Sequence, residues 1–517
     1  MKINFTIFIF TLIVMTNLVT KKVSSTVPAG GMMMYEVSTR PWMYNLSITY
    51  NTPINTLLDI PFEEFENIKS MGFDMIWMMG VWELGEYGLN YDQTNEPLLQ
   101  HYEQVLPGFT QADIIGSPYA VTNYSVNPQV GLEQDLVELR KKLNAIGLLL
   151  MLDFVPNHTA VDAEWTTTEM DYFIRAPQGT PTPYNNNTYL PNGIAYGSAG
   201  WGGSWFDTAQ LNYWNPDCVK ARIQQLLTVA SFADAIRCDM AYLLLNSLFG
   251  SNWATQLQSW GYEQPAQEFW TVAIEIVKQE YPDIIFLAEV YHPYEENLQE
   301  VGFDYTYDKM LHDIINGGDM NAVRAWISGH SKQFTTHSAH FISNHDEPRG
   351  ANFFGSWWRS NAASLITYTL PGLRFFWWGD FQGYSNQLDV HLRREESEPA
   401  IPDTMAFYQT LTSIVSDPVF KNGEFTYLNC TNDQESWNLV AYKWTYQNER
   451  RLCVLNFSDQ QGTGNIILDD AEPINGNDTI PVTDLLSNTT YYRSSEQMRT
   501  TGLYVIINSW YGQIFKY

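Results

Sequence analysis

The sequence predicts an α/β fold: a (β/α)8 TIM barrel with an inserted domain after strand 3 and a C-terminal all-β sandwich domain. Three observations predict it. First, the segments Asp153–His158, Ala235–Asp239, Leu287–Tyr291 and Phe341–Asp346 are apolar, strand-like runs that end in acidic, imidazole or guanidinium groups. Charged groups delivered in series to strand ends belong at the catalytic rim of such a barrel. Second, strand-like runs alternate with helical stretches, the pattern of βαβ units around a parallel sheet. Third, after about Pro402 this rhythm gives way to short alternating runs separated by Asn, Asp and Gly turns.

The barrel is expected over residues 27–158 and 213–402. Tyr35-Glu-Val-Ser begins a first strand, and Pro61–Met71 has helical apolar spacing. Asp74–Gly80 reads as a second strand. Glu133–Ile146 places Leu136, Leu139, Leu143 and Ile146 on one helical face. It runs into Gly147–Val155, a continuous apolar run of the fully buried, parallel type. Helices over Lys220–Ala230, Glu268–Tyr281, Ala322–Ser331 and Ser356–Thr369 precede strands over Ala233–Cys238, Ile284–Ala288, His340–Ser343 and Leu373–Trp378. From Thr159 to Asn212 the chain is rich in Gly, Pro, Asn, Thr and aromatics, without helical period. So long a connection predicts an inserted domain over 159–212 on the catalytic side. A helix over Thr404–Val415 opens the last region, 403–517. There Ser436–Trp444, Arg451–Phe457, Gly464–Leu468 and Gly502–Ile507 read as strands of a separate all-β domain.

Charged residues are 16% of the chain against 45% hydrophobic, which excludes a disordered protein and supplies core for more than one domain. The net charge of -29 repels nucleic acid and anionic membranes, so neither is expected as a partner. A soluble monomer acting on a neutral substrate is expected. The aromatic share of 15% is chiefly core, with sugar-stacking platforms as a second use; Trp77, Trp82, Trp377 and Trp378 read as core.

At the N-terminus, Met1-Lys2 precede an apolar run from Phe5 to Val19, then small and polar residues through Thr26. This pattern predicts a secretory signal peptide over 1–26. A signal anchor is the alternative, disfavoured by the short run and by Thr11, Thr16 and Asn17. Asn-x-Ser/Thr acceptors at Asn45, Asn186, Asn429, Asn456, Asn477 and Asn488 fit a secreted glycoprotein, with lysosome or vacuole as the alternative destination. Asn123 and Asn157 also match, the second inside the candidate site. Of the cysteines Cys218, Cys238, Cys430 and Cys453, the last two sit in late β-like runs, and a local disulfide between them is one of the possible pairings. Cys238 reads as a small buried filler. Nothing suggests zinc.

Asp239, Glu289 and Asp346 are expected to converge with His158, His345 and Arg237, a group suited to cleaving a glycosidic bond. Retaining hydrolysis needs one carboxylate to attack the anomeric carbon and another to protonate the leaving oxygen, then deprotonate water. Arg237 lies two residues before Asp239, on the same face of a strand, and would keep that nucleophile ionised. Glu289 stands in an apolar, carboxylate-rich setting that should raise its pKa for acid/base work. Asp346 beside His345 can hold sugar hydroxyls and favour ring distortion, and His158 can bond another hydroxyl. Asp153 is expected to orient the site or cap its strand.

On these residues the chain resembles the α-amylase family, glycoside hydrolase family thirteen, over nearly its whole mature length. The family's regions match Asp153–His158, Ala235–Asp239, Glu289 with its apolar lead-in, and Phe341–Asp346. The resemblance implies Asp239 as nucleophile, Glu289 as acid/base and Asp346 as transition-state stabiliser, with Arg237, His158 and His345 around them. Ser117-Pro-Tyr119 is similar to the segment whose tyrosine stacks on the sugar. The inserted region would be the family's B domain. Tyr242-Leu243 depart from the Lys-His of many members, and Ala209-Gln-Leu-Asn212 from a motif that usually holds an aspartate calcium ligand. Asn157 matches the first calcium ligand, so a structural calcium is one expectation; the chemistry itself needs no cofactor. The implied activity is endo-hydrolysis of α-1,4 bonds in starch or glycogen, with α-glucan or maltooligosaccharide as partner. The alternatives are an exo-acting α-glucosidase (maltase) or transglycosylase of the same family, and a silent glucan-binding homologue. Retention of all three carboxylates argues against the last.

Overall fold

The computed structural model describes residues 31–200, 203–431 and 436–517. The expected signal segment up to Thr26 lies outside the described residues. Eight parallel strands close into a barrel. They are β1 (Met33–Ser38), β2 (Met75–Met79), β3 (Leu149–Phe154), β4 (Ala235–Cys238), β5 (Ile285–Ala288), β6 (Tyr305–Tyr307), β7 (Ser338–His340) and β8 (Leu373–Trp377). Neighbours in the barrel are neighbours in the chain, and β8 pairs with β1. Helices pack outside and side chains fill the interior, so the strands are buried on both faces. That is why these runs are apolar without alternation. Gly147 turns the helix Glu133–Ala145 into β3 with φ +72, a conformation that favours glycine.

Two parts of the barrel differ from the sequence expectation. The seventh strand is Ser338–His340, earlier than His340–Ser343, so His345 and Asp346 project from a loop beyond it. Turn chemistry prevails there: Asn344 Oδ1 accepts from the N–H groups of Asp346 (2.9 Å) and Glu347 (3.0 Å). The sixth strand, Tyr-Thr-Tyr, lies between the helices Glu295–Glu300 and Lys309–Asn316. Three residues cannot display a period, and the sequence reading has no strand there.

Between β3 and β4, His158–Ala160, Ser204–Gln210 and Tyr196–Ser198 form a small antiparallel sheet, rooted directly in the strand end that carries His158. In the last region, after the helices Pro402–Val415 and Pro418–Asn422, the chain is almost wholly β, forming a six-stranded and a three-stranded sheet with one short helix, Ser495–Thr500. Strand Leu439–Tyr446 shows how it docks. Leu439 and Ala441 enter the domain's own core, whereas Val440, Tyr442 and Trp444 join the core of the barrel. Trp444 Nε1 donates to Thr369 O (2.8 Å), so the outer face of the sheet is used as fully as the inner one. Alternation along the strand Glu449–Asn456 likewise points Cys453 at the barrel, whereas Cys430, in the three-stranded sheet, packs against the second core. The two are not disulfide bonded. Asn456 is buried, its amide donating to the carbonyls of Gln460, Ile507 and Asn508, so in the folded chain it is no glycosylation acceptor. Among the described residues, no helix is long and apolar enough to cross a membrane.

Candidate active site

The rim is organised by Arg237, which is fully buried. In the β4–β5 register Cys238 stands opposite Ala288, so Asp239 and Glu289 leave the barrel side by side. Arg237 Nη1 donates to Asp239 Oδ1 (2.9 Å) and Nη2 to Glu289 Oε2 (2.7 Å). The expected same-face pairing of Arg237 with Asp239 is therefore present. Asp153 Oδ1 lies 3.6 Å from Arg237 Nη1, while Oδ2 accepts from Trp77 Nε1 (3.1 Å) and Gly80 N–H (3.4 Å). It is buried beside the guanidinium and held by Trp77 and Gly80.

The two carboxylates differ in how fully they are held. Glu289 also accepts from the N–H of Met240 (2.7 Å) and from the Tyr291 hydroxyl (3.0 Å). Met240 reaches it from the left-handed region, with φ 44. Asp239 is held only through Oδ1; its Oδ2 is buried and has no hydrogen-bond partner. Burial raises both carboxyls against the pull of Arg237, Asp239 to about 6 and Glu289 to about 7. The guanidinium therefore does not keep Asp239 low: desolvation outweighs it.

On the opposite side, Tyr119 and His345 meet at 2.6 Å between the hydroxyl and Nε2, and Asp346 Oδ2 lies 3.0 Å from the same nitrogen. The Asp346 side chain is 40% exposed, the most open of the three candidate carboxylates. Burial works against its charge, but His345 holds it below the usual carboxylate range. Arg237 lies 5.1 Å from the centroid of the Tyr119 ring, which ties the two sides together. His158 is buried near the Tyr119 backbone, with Nε2 unpartnered; burial lowers it to about 4, so the ring is neutral. Asp239, Glu289, Asp346, Arg237, His345, Tyr119 and His158 are thus gathered at one end of the barrel.

Asn157 lies behind His158. Its Oδ1 accepts from Gln210 Nε2 (3.0 Å), its Nδ2 donates to Gln210 Oε1 (3.2 Å), and both residues are buried. This reciprocal amide pair engages one lone pair of the oxygen a calcium would need and turns it toward Gln210, and neither amide supplies the negative charge that ion requires, so this donor pair does not fit it.

Three contributors escaped the sequence reading. Glu36, on β1, pairs with His345 at 2.5 Å. Its signal was available: a carboxylate inside the apolar run Met33–Val37. Tyr291 and the Met240 backbone bind Glu289, and neither carries a sequence signal.

The catalytic-domain model of alpha amylases matches residues 62–423, most of the chain. The Alpha-amylase 3 of Dictyoglomus thermophilum is 25% identical over 321 residues, 56% of this chain and 58% of its own length. The Maltase 1 of Drosophila virilis is 23% identical over 396 residues, 62% of this chain and 60% of its own. The chain thus spans less than two thirds of either relative. A maltogenic alpha-amylase of Thermotoga neapolitana shares the fold at a TM-score of 0.67 and 19% identity, over 95% of this chain and 99% of that one. With the barrel, the rim carboxylates and this family match together, the chain belongs to the alpha-amylase family of glycoside hydrolases.

Proposed function

We propose that the protein is a retaining α-glucan hydrolase that cuts internal α-1,4 bonds of starch or glycogen through a covalent glycosyl-Asp239 intermediate. The observation that carries this is the shared guanidinium: Arg237 holds Asp239 and Glu289 side by side, while Asp239 Oδ2 stays without a partner. A nucleophilic oxygen must be oriented yet unengaged. Glu289 gives its proton to the leaving oxygen as Asp239 bonds the anomeric carbon; the resulting carboxylate then takes a proton from water, which displaces Asp239. Asp346 faces the cleft as an ionised group that stabilises the oxocarbenium charge, and Tyr119 and His158 contact the same sugar. On this reading the B-domain root is held by the Asn157–Gln210 amides without calcium.

The likeness to a maltase and one structural feature keep a second reading open, an exo-acting or transglycosylating enzyme. Beside Glu289, Tyr242 stacks on Tyr294 (5.6 Å, 27°) and meets Tyr291 edge-on (5.8 Å). An aromatic wall on the acid/base side favours a sugar acceptor over water. A time course of soluble-starch digestion with products separated by length tests the choice. Mixed oligosaccharides and an early fall in viscosity support endo-hydrolysis. Glucose or maltose from the start supports the exo reading, and products longer than the substrate support transfer. No cleavage at all overturns both.

A further inference from the structure

A carboxylate from the first strand lies beneath the imidazole of the site. Glu36 is fully buried, and its Oε1 is 2.5 Å from His345 Nδ1. The other ring nitrogen faces Asp346 and the Tyr119 hydroxyl, at 3.0 and 2.6 Å. Trp77 meets the ring edge-on at 5.4 Å, and Tyr119 packs on it at 5.4 Å. Both nitrogens are therefore committed and the ring cannot turn. A neutral imidazole offers one donor and one acceptor. With a carboxylate on each side, only the doubly protonated ring gives each of them a hydrogen.

We propose that Glu36 is the positioning residue of His345: its carboxylate holds the ring as a two-donor cation, and the opposite N–H fixes Asp346 and Tyr119 for the sugar. This rests on the reading above that Asp346 and Tyr119 face substrate. Glu36 acts through the ring and touches no reacting atom. The groups around this pair come from several elements. Asp346 is on the ring's own loop, Tyr119 on the segment after β2, Asp153 on β3 and Arg237 on β4. Tyr307 of β6 and Asp380 beyond β8 face Glu36. Burial opposes a charge on His345, but Asp346 and Glu36 outweigh it and raise the ring to about 10. Burial raises Glu36 above the usual carboxylate range, with His345 pulling against it. Without the Glu36 charge, the ring loses its proton at lower pH. Its Nε2 or Nδ1 then presents a lone pair where a hydrogen is required, and the defect grows as pH rises.

The test uses Glu36→Gln, which keeps the shape and removes the charge, and Glu36→Asp, which keeps the charge. The kcat and KM for maltooligosaccharide are followed across pH. The His345 ring is titrated by NMR in 15N-histidine protein, assigned with His345→Asn. In Glu36→Gln, kcat/KM is expected to fall about tenfold at pH 7 and less at pH 5, because the ring then titrates below Glu289 and sets the alkaline limb about one unit lower in its place. The ring should titrate lower as well, and Glu36→Asp should regain part of the activity at pH 7. Unchanged kinetics, or an equal loss at every pH with an unchanged ring titration, would overturn the proposal. If Glu36→Gln does not fold, the wild-type ring decides: titration near the ordinary imidazole value overturns it. That titration needs no turnover, so a protein without glucan cleavage would sink the functional reading while leaving this one measurable.

Discussion

On the β4–β5 side, Arg237 stands between Asp239 and Glu289; on the β1–β7 side, His345 stands between Glu36 and Asp346. Each is one cation serving two carboxylates, yet the outcomes diverge. Asp239 and Glu289 are raised, whereas Asp346 is lowered. Burial opposes the charge of all three carboxylates, so the sharing of the cations decides. Arg237 is divided among Asp239, Glu289 and a third carboxylate, Asp153, and these negative groups raise one another, whereas Asp346 has the His345 imidazole beside it and Arg237 as a second cation. The Asp346 side chain is also 40% exposed, against 7% and 3% for Asp239 and Glu289. The enclosed pair can exchange protons near working pH; the open carboxylate remains a fixed negative charge.

The largest expected effect breaks the enclosed side. Asp239→Asn should lower kcat on the order of 10⁴-fold with the circular dichroism spectrum retained. Activity near wild type would remove Asp239 from the nucleophile role. Glu289→Gln should cost about 10³-fold on starch, but far less on an aryl glycoside whose leaving group needs no proton. Equal losses on both substrates would show that Glu289 is not the acid. Arg237→Ala leaves buried carboxylates without their cation and should destabilise the fold by about 3–5 kcal/mol, read by denaturant unfolding. An unchanged midpoint would mean that water replaces the guanidinium.

The comparison also has a pH consequence. On the proposed roles, activity needs Asp239 ionised and Glu289 protonated, so the rate should rise through about 6 and fall through about 7, a narrow, mildly acidic optimum measurable as kcat/KM against pH. For stability the sign is the same for both groups. Each is raised in the folded chain, so its contribution is complete below the unfolded carboxyl value and lost as pH rises through about 6 and about 7. The smallest effect concerns the B-domain root. Gln210→Ala leaves the buried Asn157 amide unsatisfied and should cost about 1–3 kcal/mol, while a chelator should leave the melting temperature of the wild type unchanged. A fall on chelation would show that calcium binds there after all.

Much of this site is written in single segments. Arg237 and Asp239 face the same way because strand side chains alternate, and Glu289 follows an apolar run that has to end at a barrel rim. What a segment cannot show is which other segment lies beneath it. Glu36 and His345 are separated by 309 positions and meet at 2.5 Å because β8 closes on β1. The sixth strand was illegible because three residues carry no period, and the seventh was misplaced because an Asn344 turn follows an apolar stretch. The possible Cys430–Cys453 pairing failed because the two residues belong to different sheets and pack on different cores, which two neighbouring β-like runs do not reveal.

The amino-acid sequence alone determined the architecture and the identity of the candidate carboxylates, because both follow from local periodicity and from charge placed at the ends of buried strands. Only the tertiary structure decided their protonation and their company. Desolvation and hydrogen bonding depend on what closes over a group from distant parts of the chain, and at Asp239 that enclosure outweighs the charge of Arg237 two residues away.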